Sequence, residues 1–295
     1  MKRFILILFL LFANNAWATN YCANGNLGAG WQFDASSGTE PDCTSNGNTA
    51  TGTGVTEGVT GWYNLAVSFP KSDSAYVSVP AASSINGLVN VSMGAWIKPN
   101  SSGISGNLCS GATIISKSDG SHGPELCVDS AGTIYFSAWW SGGAAKYSTT
   151  TSPVTFTGTW QHVAVTYSYS SSSNVPIFYY NGSALSTSTI SSAFGSQTSD
   201  SGNNLEIGLE TVGGVGAFDG VIDEPFIANV TLSSTDISNI YNCGLDGTVC
   251  VTTPTVTTQA ASSVTLTTAT GNGNITALGS STPTLEGVVW DSSSH

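Results

Sequence analysis

Basic residues are scarce in this sequence, and arginine is almost absent. The 295 residues contain six lysines or arginines against 18 aspartates or glutamates, which gives a formal net charge of −12. Two of the six bases, Lys2 and Arg3, stand at the N-terminus. Nucleic acids and anionic lipid surfaces attract clustered lysine and arginine. Neither is therefore an expected partner.

Long apolar runs are also lacking, apart from one at the N-terminus. Residues 4–12 are all apolar, they follow Lys2 and Arg3, and Ala16-Trp17-Ala18 fits the small-residue rule for cleavage of a signal peptide. The pattern predicts a secretory signal over residues 1–18 and a secreted or cell-surface protein that begins at Thr19. The run is too short for a helix that spans a bilayer, so we expect no membrane insertion.

Histidine is equally rare, with three in the chain, and no Gly-x-Ser-x-Gly elbow occurs. None of these histidines lies near a pair of cysteines, so the spacing of a zinc site is missing. The number of cysteines is even, and an exported chain meets an oxidising compartment, so disulfides are expected. Short loops favour the pairs Cys22–Cys43, Cys109–Cys127 and Cys243–Cys250. A link from Cys22 or Cys43 to Cys250 is the alternative.

Short segments with alternating apolar and polar residues fill most of the chain. They are rich in β-branched and aromatic residues and are separated by turn sequences such as 119-DGSHG-123. Candidate strands cover residues 64–69, 75–79, 90–99, 112–118, 124–129, 132–140, 159–169, 175–182, 204–209 and 218–228. This predicts an all-β fold, a two-sheet antiparallel sandwich or jelly roll.

One helix is predicted near the C-terminal end of this region. Residues 233–243 place Ile237, Ile240 and Tyr241 on one face, and either Ser233 or Ser234 can cap the first turn.

The regions flanking the strands differ in composition. Residues 19–60 are rich in glycine, serine, threonine and asparagine, and we interpret them as an irregular, disulfide-stapled leader. The sandwich itself is expected over residues 61–250. A Thr/Pro/Ala-rich linker is expected over 251–261, and a partial β-sandwich repeat, an incomplete β tail, over 262–295. The tail is too short for a whole sandwich, so we expect a longer natural protein.

Four sequence segments in order carry a family resemblance. They are 67-VSFPKSDSAYVSVP-80, 91-VSMGAWIKP-99, 159-TWQHVAVTY-167 and 218-FDGVIDEPFIANVTLSSTDISNIYN-242. Together they resemble the laminin-G-like jelly roll of the concanavalin A-like lectin/glucanase superfamily. The resemblance implies two packed antiparallel sheets and no single function, because members bind glycans, proteins or calcium, or form part of enzymes. The segment 270-TGNGNITALGSSTPTLEGVVW-290 is similar to repeats of bacterial surface proteins.

The acidic residues argue against an enzyme. Glucanases of the resembled superfamily carry Glu-x-Asp-x-Glu on one strand, and this motif is absent here. Asp223 and Glu224 are consecutive, so on a regular strand they face opposite sides and cannot flank one glycosidic bond. Glu206 and Glu210 share a face only if the strand is regular through Gly208. A glycoside hydrolase is kept as an alternative.

The resemblance also implies a structural calcium ion near a sheet edge. Asp73 and Asp223 are the matching candidates, because carboxylates supply the hard oxygen ligands that calcium prefers. In the alternative interpretation Asp223 accepts hydrogen bonds from a turn and Glu224 faces solvent.

Aromatic residues are the candidates for ligand binding. Trp139 and Trp140 are consecutive at the end of a strand, so we expect one in the core and one exposed, where it can stack on a sugar face. Tyr147 is a weaker candidate of the same kind, and sheet packing is the alternative role for all three. We therefore predict an exported, non-catalytic recognition or adhesion module that binds a glycan or a cell-surface protein. A passive structural module is the alternative.

Overall fold

The computed structural model describes residues 7–9, 19–72, 74–103, 111–210, 216–247, 255–265, 268, 270–277 and 287–289. The chain divides into two compact units. One comprises residues 19–246, and the other comprises residues 1–18 together with 247–295.

The strands have the following bounds in chain order: β1 Ile7–Phe9, β2 Leu27–Gly30, β3 Thr39–Glu40, β4 Ala50–Thr53, β5 Thr56–Thr60, β6 Leu65–Phe69, β7 Tyr76–Val79, β8 Asn90–Pro99, β9 Ala112–Ser116, β10 Pro124–Val128, β11 Ile134–Trp140, β12 Gly143–Thr149, β13 Gln161–Ser168, β14 Ile177–Tyr180, β15 Ser183–Leu185, β16 Thr187–Ser191, β17 Leu205–Ile207, β18 Gly220–Ala228, β19 Thr255–Ser262, β20 Thr270–Ala277 and β21 Gly287–Val289. One helix, α1, spans Ser234–Cys243.

The larger unit consists of two antiparallel sheets. The nine-stranded sheet has the order β16-β12-β11-β10-β9-β17-β7-β4-β3, and the eight-stranded sheet has the order β15-β14-β13-β8-β18-β6-β5, with β2 paired to β18. In the smaller unit β1 pairs with β21 and β19 pairs with β20, both antiparallel. The predicted all-β jelly-roll sandwich with one short helix is confirmed.

Alternation along the strands builds the core between the sheets. In β8, Met93, Ala95 and Ile97 point into this core, while Trp96 lies on the outer face of the eight-stranded sheet. Because side chains alternate with period two, each strand contributes one apolar row to the core and leaves the other row for the outer surface. Residues that contact a ligand or substrate are therefore expected in the outer rows.

Helix α1 covers part of the outer face of the eight-stranded sheet. Ser233 is its N-cap, and a capping box forms with Asp236. Ile237 and Ile240 are buried in a second apolar cluster that includes Tyr21 and Phe226. The helix predicted over 233–243 is confirmed, and the capping residue is Ser233.

The segment 19–60 differs from our expectation of an irregular leader. It supplies β2 and β5 to the eight-stranded sheet and β3 and β4 to the nine-stranded sheet. Trp31 and Phe33 are fully buried in the sandwich core. Glycine and polar residues between these anchors hide the alternation that predicts strands. Strands β12, β15 and β16 are not among the predicted strands, for the same reason.

The disulfide Cys22–Cys43 is present, as predicted. Cys127 and Cys243 are also disulfide-bonded. Their expected partners, Cys109 and Cys250, lie outside the described residues, so the pairs 109–127 and 243–250 stay predictions. Within the described part of the chain, no helix is long and apolar enough to cross a bilayer.

Candidate functional site on the nine-stranded sheet

A row of polar residues crosses the outer face of the nine-stranded sheet. In register it runs Lys146, Ser137, Glu125, Ser116, Glu206 across β12, β11, β10, β9 and β17. Residues directly opposite one another on paired strands lie on the same face. We call these five residues the polar row. The sheet thus brings a base, two acids and two hydroxyl groups to one surface.

Glu125 lies in the middle of the polar row and is only 1% exposed. Its Oε1 accepts a hydrogen bond of 2.9 Å from Thr113 Oγ1, while Oε2 is buried without a hydrogen-bond partner. Burial, and next the negative charge of Glu210, raise the pKa of Glu125 to about 8, against the opposing effects of Thr113 and Lys146. A carboxyl in this state is largely protonated at neutral pH.

Glu210 is the second unusual acid of this face. It is 1% exposed, and its Oε1 is buried without a partner. Burial raises its pKa to about 7, with further contributions from Glu206 and Asp119. Gly208 stands between Glu206 and Glu210 with φ +85°, a conformation that ends the regular strand. Glu210 interacts electrostatically with Glu125 and Glu206, so its carboxyl group lies near theirs.

Glu125 was not recognised from the sequence. Its strand contains Leu126 and Val128 as core residues, so an acid at position 125 has to lie on the outer face. The sequence therefore indicates that Glu125 lies on the outer face. It does not indicate that Glu125 lies near Glu206 and Glu210, because this depends on the pairing of β9 with both β10 and β17.

The aromatic candidates are divided between the core and the surface. Trp139 is half-buried on the outer face of β11, whereas Trp140 is 4% exposed within the core. Tyr147 is 1% exposed in the core, and its hydroxyl donates to the Asn174 carbonyl. Trp140 and Tyr147 are therefore placed for packing and not for contact with an external ligand, while Trp139 keeps the position expected of a binding residue.

Strand β11 carries a second aromatic residue on the same face. Tyr135, Ser137 and Trp139 occupy alternate positions, and Tyr135 is half-buried like Trp139. The two aromatic residues are separated by about 13 Å along the strand, with Ser137 between them. The Ser137 hydroxyl is buried without a hydrogen-bond partner. Tyr135 and Trp139 thus place one aromatic ring on each side of the polar row.

Asp223 and Glu224 lie on the other sheet and do not face opposite sides. A bulge interrupts β18 after Asp223, and Glu224 has φ +51°. Glu224 is 3% exposed, and its Oε2 accepts a hydrogen bond from the Leu245 amide. The alternative interpretation, in which Asp223 binds a turn and Glu224 faces solvent, is right for Asp223 and wrong for Glu224, because the bulge turns the Glu224 side chain toward the end of α1.

Asp223 binds backbone amides. Its Oδ2 accepts from the N–H groups of Trp62 and Tyr63 at 2.8 and 3.0 Å, and Oδ1 accepts from the N–H of Glu224. Burial raises the pKa of Asp223 to about 8, and these three hydrogen bonds act in the opposite direction. The carboxyl therefore fixes the turn between β5 and β6 against β18.

The calcium candidates are not brought together by what the structure describes. Asp73 lies outside the described residues, and Asp223 is engaged by backbone donors. Among the described residues, no group of three or more histidine, cysteine, aspartate or glutamate residues is placed to hold a metal ion. A calcium site stays a prediction.

Aromatic rings also cluster on the outer face of the eight-stranded sheet. Trp96 stacks with Trp62 at 4.1 Å between ring centroids and with Tyr241 of α1 at 5.1 Å. His162 contacts Trp96 edge-on and is fully buried, which lowers its pKa to about 3. His162 is therefore a packing residue beside Trp96. Trp62 is 45% exposed and is the surface tryptophan that the sequence did not single out.

An open groove of about 840 Å³ lies on this second sheet. It is formed by the ends of β13 and β14 and the loop that precedes α1, with Ser168, Asn174, Ile177 and Ser233 among its lining residues. No lysine, aspartate or glutamate lines it. The groove is thus an uncharged concavity, unlike the acidic face of the nine-stranded sheet.

The fold and these two surfaces define a jelly-roll domain of the lectin-like class. The family model described as the concanavalin A-like lectin/glucanases superfamily, laminin G type, matches residues 70–238. The chain belongs to this family. Among curated proteins, none matches the chain.

Several solved structures share the fold. The binding domain of botulinum neurotoxin serotype D/C VPI 5993 aligns with a TM-score of 0.54 and 16% identity, covering 74% of this chain and 52% of that one. The binding domain of Paraclostridial Mosquitocidal Protein 1 aligns with a TM-score of 0.51 and 13% identity, with coverage of 74% and 52%. The binding domain of botulinum neurotoxin DC, in complex with rat synaptotagmin II, aligns with a TM-score of 0.52 and 15% identity, covering 74% of this chain and 51% of that one.

This chain therefore spans about half the length of these binding domains. At such low identity the likeness shows the fold.

Proposed function

We propose that this protein is an exported, non-catalytic recognition module that binds a glycan on the outer face of the nine-stranded sheet. The observation that carries the proposal is the position of Trp139. It lies half-buried on the outer face of β11, while its neighbour Trp140 fills the core.

The chemistry of this face suits a sugar ligand. Aromatic rings such as those of Trp139 and Tyr135 stack on the apolar faces of sugars at low cost in side-chain entropy. Lys146 and Glu206, the half-buried members of the polar row, can donate and accept hydrogen bonds to sugar hydroxyl groups.

Export is part of the proposal. The signal-like N-terminus and the Cys22–Cys43 disulfide both fit an extracellular protein. We propose that the module acts in adhesion within a larger surface or secreted protein, with a cell-surface protein as the alternative partner. Calcium, if bound, has a structural role. A passive structural module is the competing account, and it predicts no ligand for this face.

A glycan array probed with the full exported chain, once with calcium and once with EDTA, tests the proposal. We expect a defined set of glycans to bind in both conditions. Binding that disappears in EDTA indicates that an ion builds or holds the site. The absence of any bound glycan in either condition contradicts the proposal and favours the passive module.

The pair Glu125 and Glu210 supports glycoside hydrolysis as a second candidate function. A glycosidase needs one carboxyl with a raised pKa as general acid and a second, ionised carboxylate on the same face, and Glu125, whose pKa is the higher of the two, fits the first role. Incubation with laminarin, agarose and xylan, followed by an assay for new reducing ends, tests this candidate. Release that Glu125→Gln abolishes supports an enzyme, and no release from any of the three polysaccharides rejects it.

A further inference from the structure

We infer that the polar row selects ligands with a protonated amine, so that a sugar with a free ammonium group is preferred over its N-acetylated form. The inference rests on the proposed function, since it concerns the same face of the nine-stranded sheet. It names the class of ligand that this face accepts and the class that it rejects.

The first support is the balance of charge. Glu210 interacts electrostatically with three other acids, Glu125, Glu206 and Asp119. Lys146 faces these acids from β12. The acids outnumber this lysine, and the whole chain has a formal net charge of −12. A cation is attracted to such a surface, and an anionic glycan is repelled.

The second support is independent of charge. Three polar atoms on this face, Glu125 Oε2, Glu210 Oε1 and Ser137 Oγ, are buried without a hydrogen-bond partner. Their side chains are each 1% exposed. Buried polar atoms in native proteins are almost always partnered, so a group of three unpartnered atoms indicates a ligand.

An ammonium group matches these atoms. It offers three donors and no acceptor, and its positive charge favours the ionised forms of Glu125 and Glu210, whose raised pKa values leave them largely or partly protonated in the free protein. A metal ion fits less well, because the described residues contain no group of three ligands suited to one. The same ammonium chemistry occurs in an amino sugar and in the lysine side chain of a protein partner.

The test compares ligands that differ only in this group. The full exported chain is titrated with chitosan oligosaccharides and with chitin oligosaccharides of equal length, and a third arm uses a lysine-containing peptide. We expect the chitosan oligomer to bind about tenfold more tightly, a factor that a single favourable ion pair supplies. The preference should shrink as salt is added.

Two variants locate the effect. Glu125→Gln and Glu206→Gln should each remove the preference for chitosan, while Glu57→Gln on β5 of the other sheet should keep it. If all three variants lose the preference for chitosan equally, the net charge of the protein alone causes that preference, and the inference is overturned. The half-buried position of Glu206 keeps the test valid if Glu125→Gln fails to fold.

The possible outcomes separate the two proposals. Equal binding of chitin and chitosan overturns the ammonium preference and leaves glycan recognition intact. If no sugar binds, either on the array or in solution, both the ammonium preference and glycan recognition are overturned. Tight binding of the lysine peptide, lost in Glu125→Gln, supports the ammonium chemistry and identifies a protein as its source.

Discussion

At the scale of single residues, the buried carboxyl groups form two pairs that differ in their hydrogen bonding. Asp223 and Glu224 fix the backbone of the eight-stranded sheet through amide hydrogen bonds. Glu125 and Glu210, on the other sheet, each keep an oxygen without a partner. The two pairs are equally buried, but only the second has unused hydrogen-bonding capacity.

Replacement of Asp223 by asparagine should destabilise the protein. The amide group of the new side chain places donors where the N–H groups of Trp62, Tyr63 and Glu224 need acceptors. We expect the free energy of unfolding to fall by about 2 kcal/mol, measured by urea denaturation. Asp129→Asn is the matched control, since Asp129 also accepts two backbone N–H bonds, at an exposed turn. An equal loss in both variants contradicts the structural role of Asp223.

Glu125 should make stability depend on pH. The pKa of its carboxyl is about 8 in the folded state, against about 4.3 in an unfolded chain. Between these values the folded state holds a proton that the unfolded state has lost, so the free energy of unfolding falls as pH rises toward 8. We expect Glu125→Gln to reduce this slope and to gain stability over the wild type, on the order of a few kcal/mol, by pH 8, while Glu210 and Asp223, with pKa values of about 7 and about 8, keep the rest of the slope.

Denaturation curves from pH 6.5 to 8 check this expectation, because the buried His162, whose pKa is lowered to about 3, acts below that range. Asp129→Asn should keep the slope of the wild type. If the slope of Glu125→Gln equals that of the wild type, Glu125 does not carry a raised pKa.

At the scale of elements, the sequence predicted the strands that alternate regularly and the helix that has a cap. Strand β8 has the predicted bounds, and α1 begins within one residue of the prediction. The sequence was less informative where glycine and polar residues interrupt the alternation, as in β2 to β5 and in β12. The bulge at Glu224 also could not be predicted from the sequence, because a positive φ at a non-glycine residue follows from tertiary contacts and not from local preference.

The cap of α1 provides a test at this scale. Ser233 accepts a hydrogen bond from the Asp236 amide, and we expect Ser233→Ala to lower the free energy of unfolding by about 1 kcal/mol. Ser234 lies inside the first turn, and Ser234→Ala should leave stability unchanged or slightly raise it, since alanine favours helix. Thermal unfolding of both variants distinguishes the serines. A larger loss in Ser234→Ala contradicts the assignment of the cap.

At the scale of the whole molecule, the two outer surfaces have different characters. The nine-stranded sheet presents acids between two aromatic residues, and the eight-stranded sheet carries α1, Trp62 and an uncharged groove. The sequence predicted that Trp139 and Trp140 would separate between surface and core, because consecutive strand residues alternate. It could not predict that Glu125 joins Trp139 on one surface, since this requires the order of strands in the sheet.

The most direct measurement of the central claim is the affinity of one array-identified glycan for the wild type, Trp139→Ala and Trp62→Ala. Both variants remove a partly exposed tryptophan, but from opposite sheets. The account predicts a loss on the order of tenfold for Trp139→Ala, the equivalent of about 1.4 kcal/mol of stacking and apolar contact, and little change for Trp62→Ala. An undiminished affinity of Trp139→Ala, or a loss confined to Trp62→Ala, would contradict the assignment of the binding face.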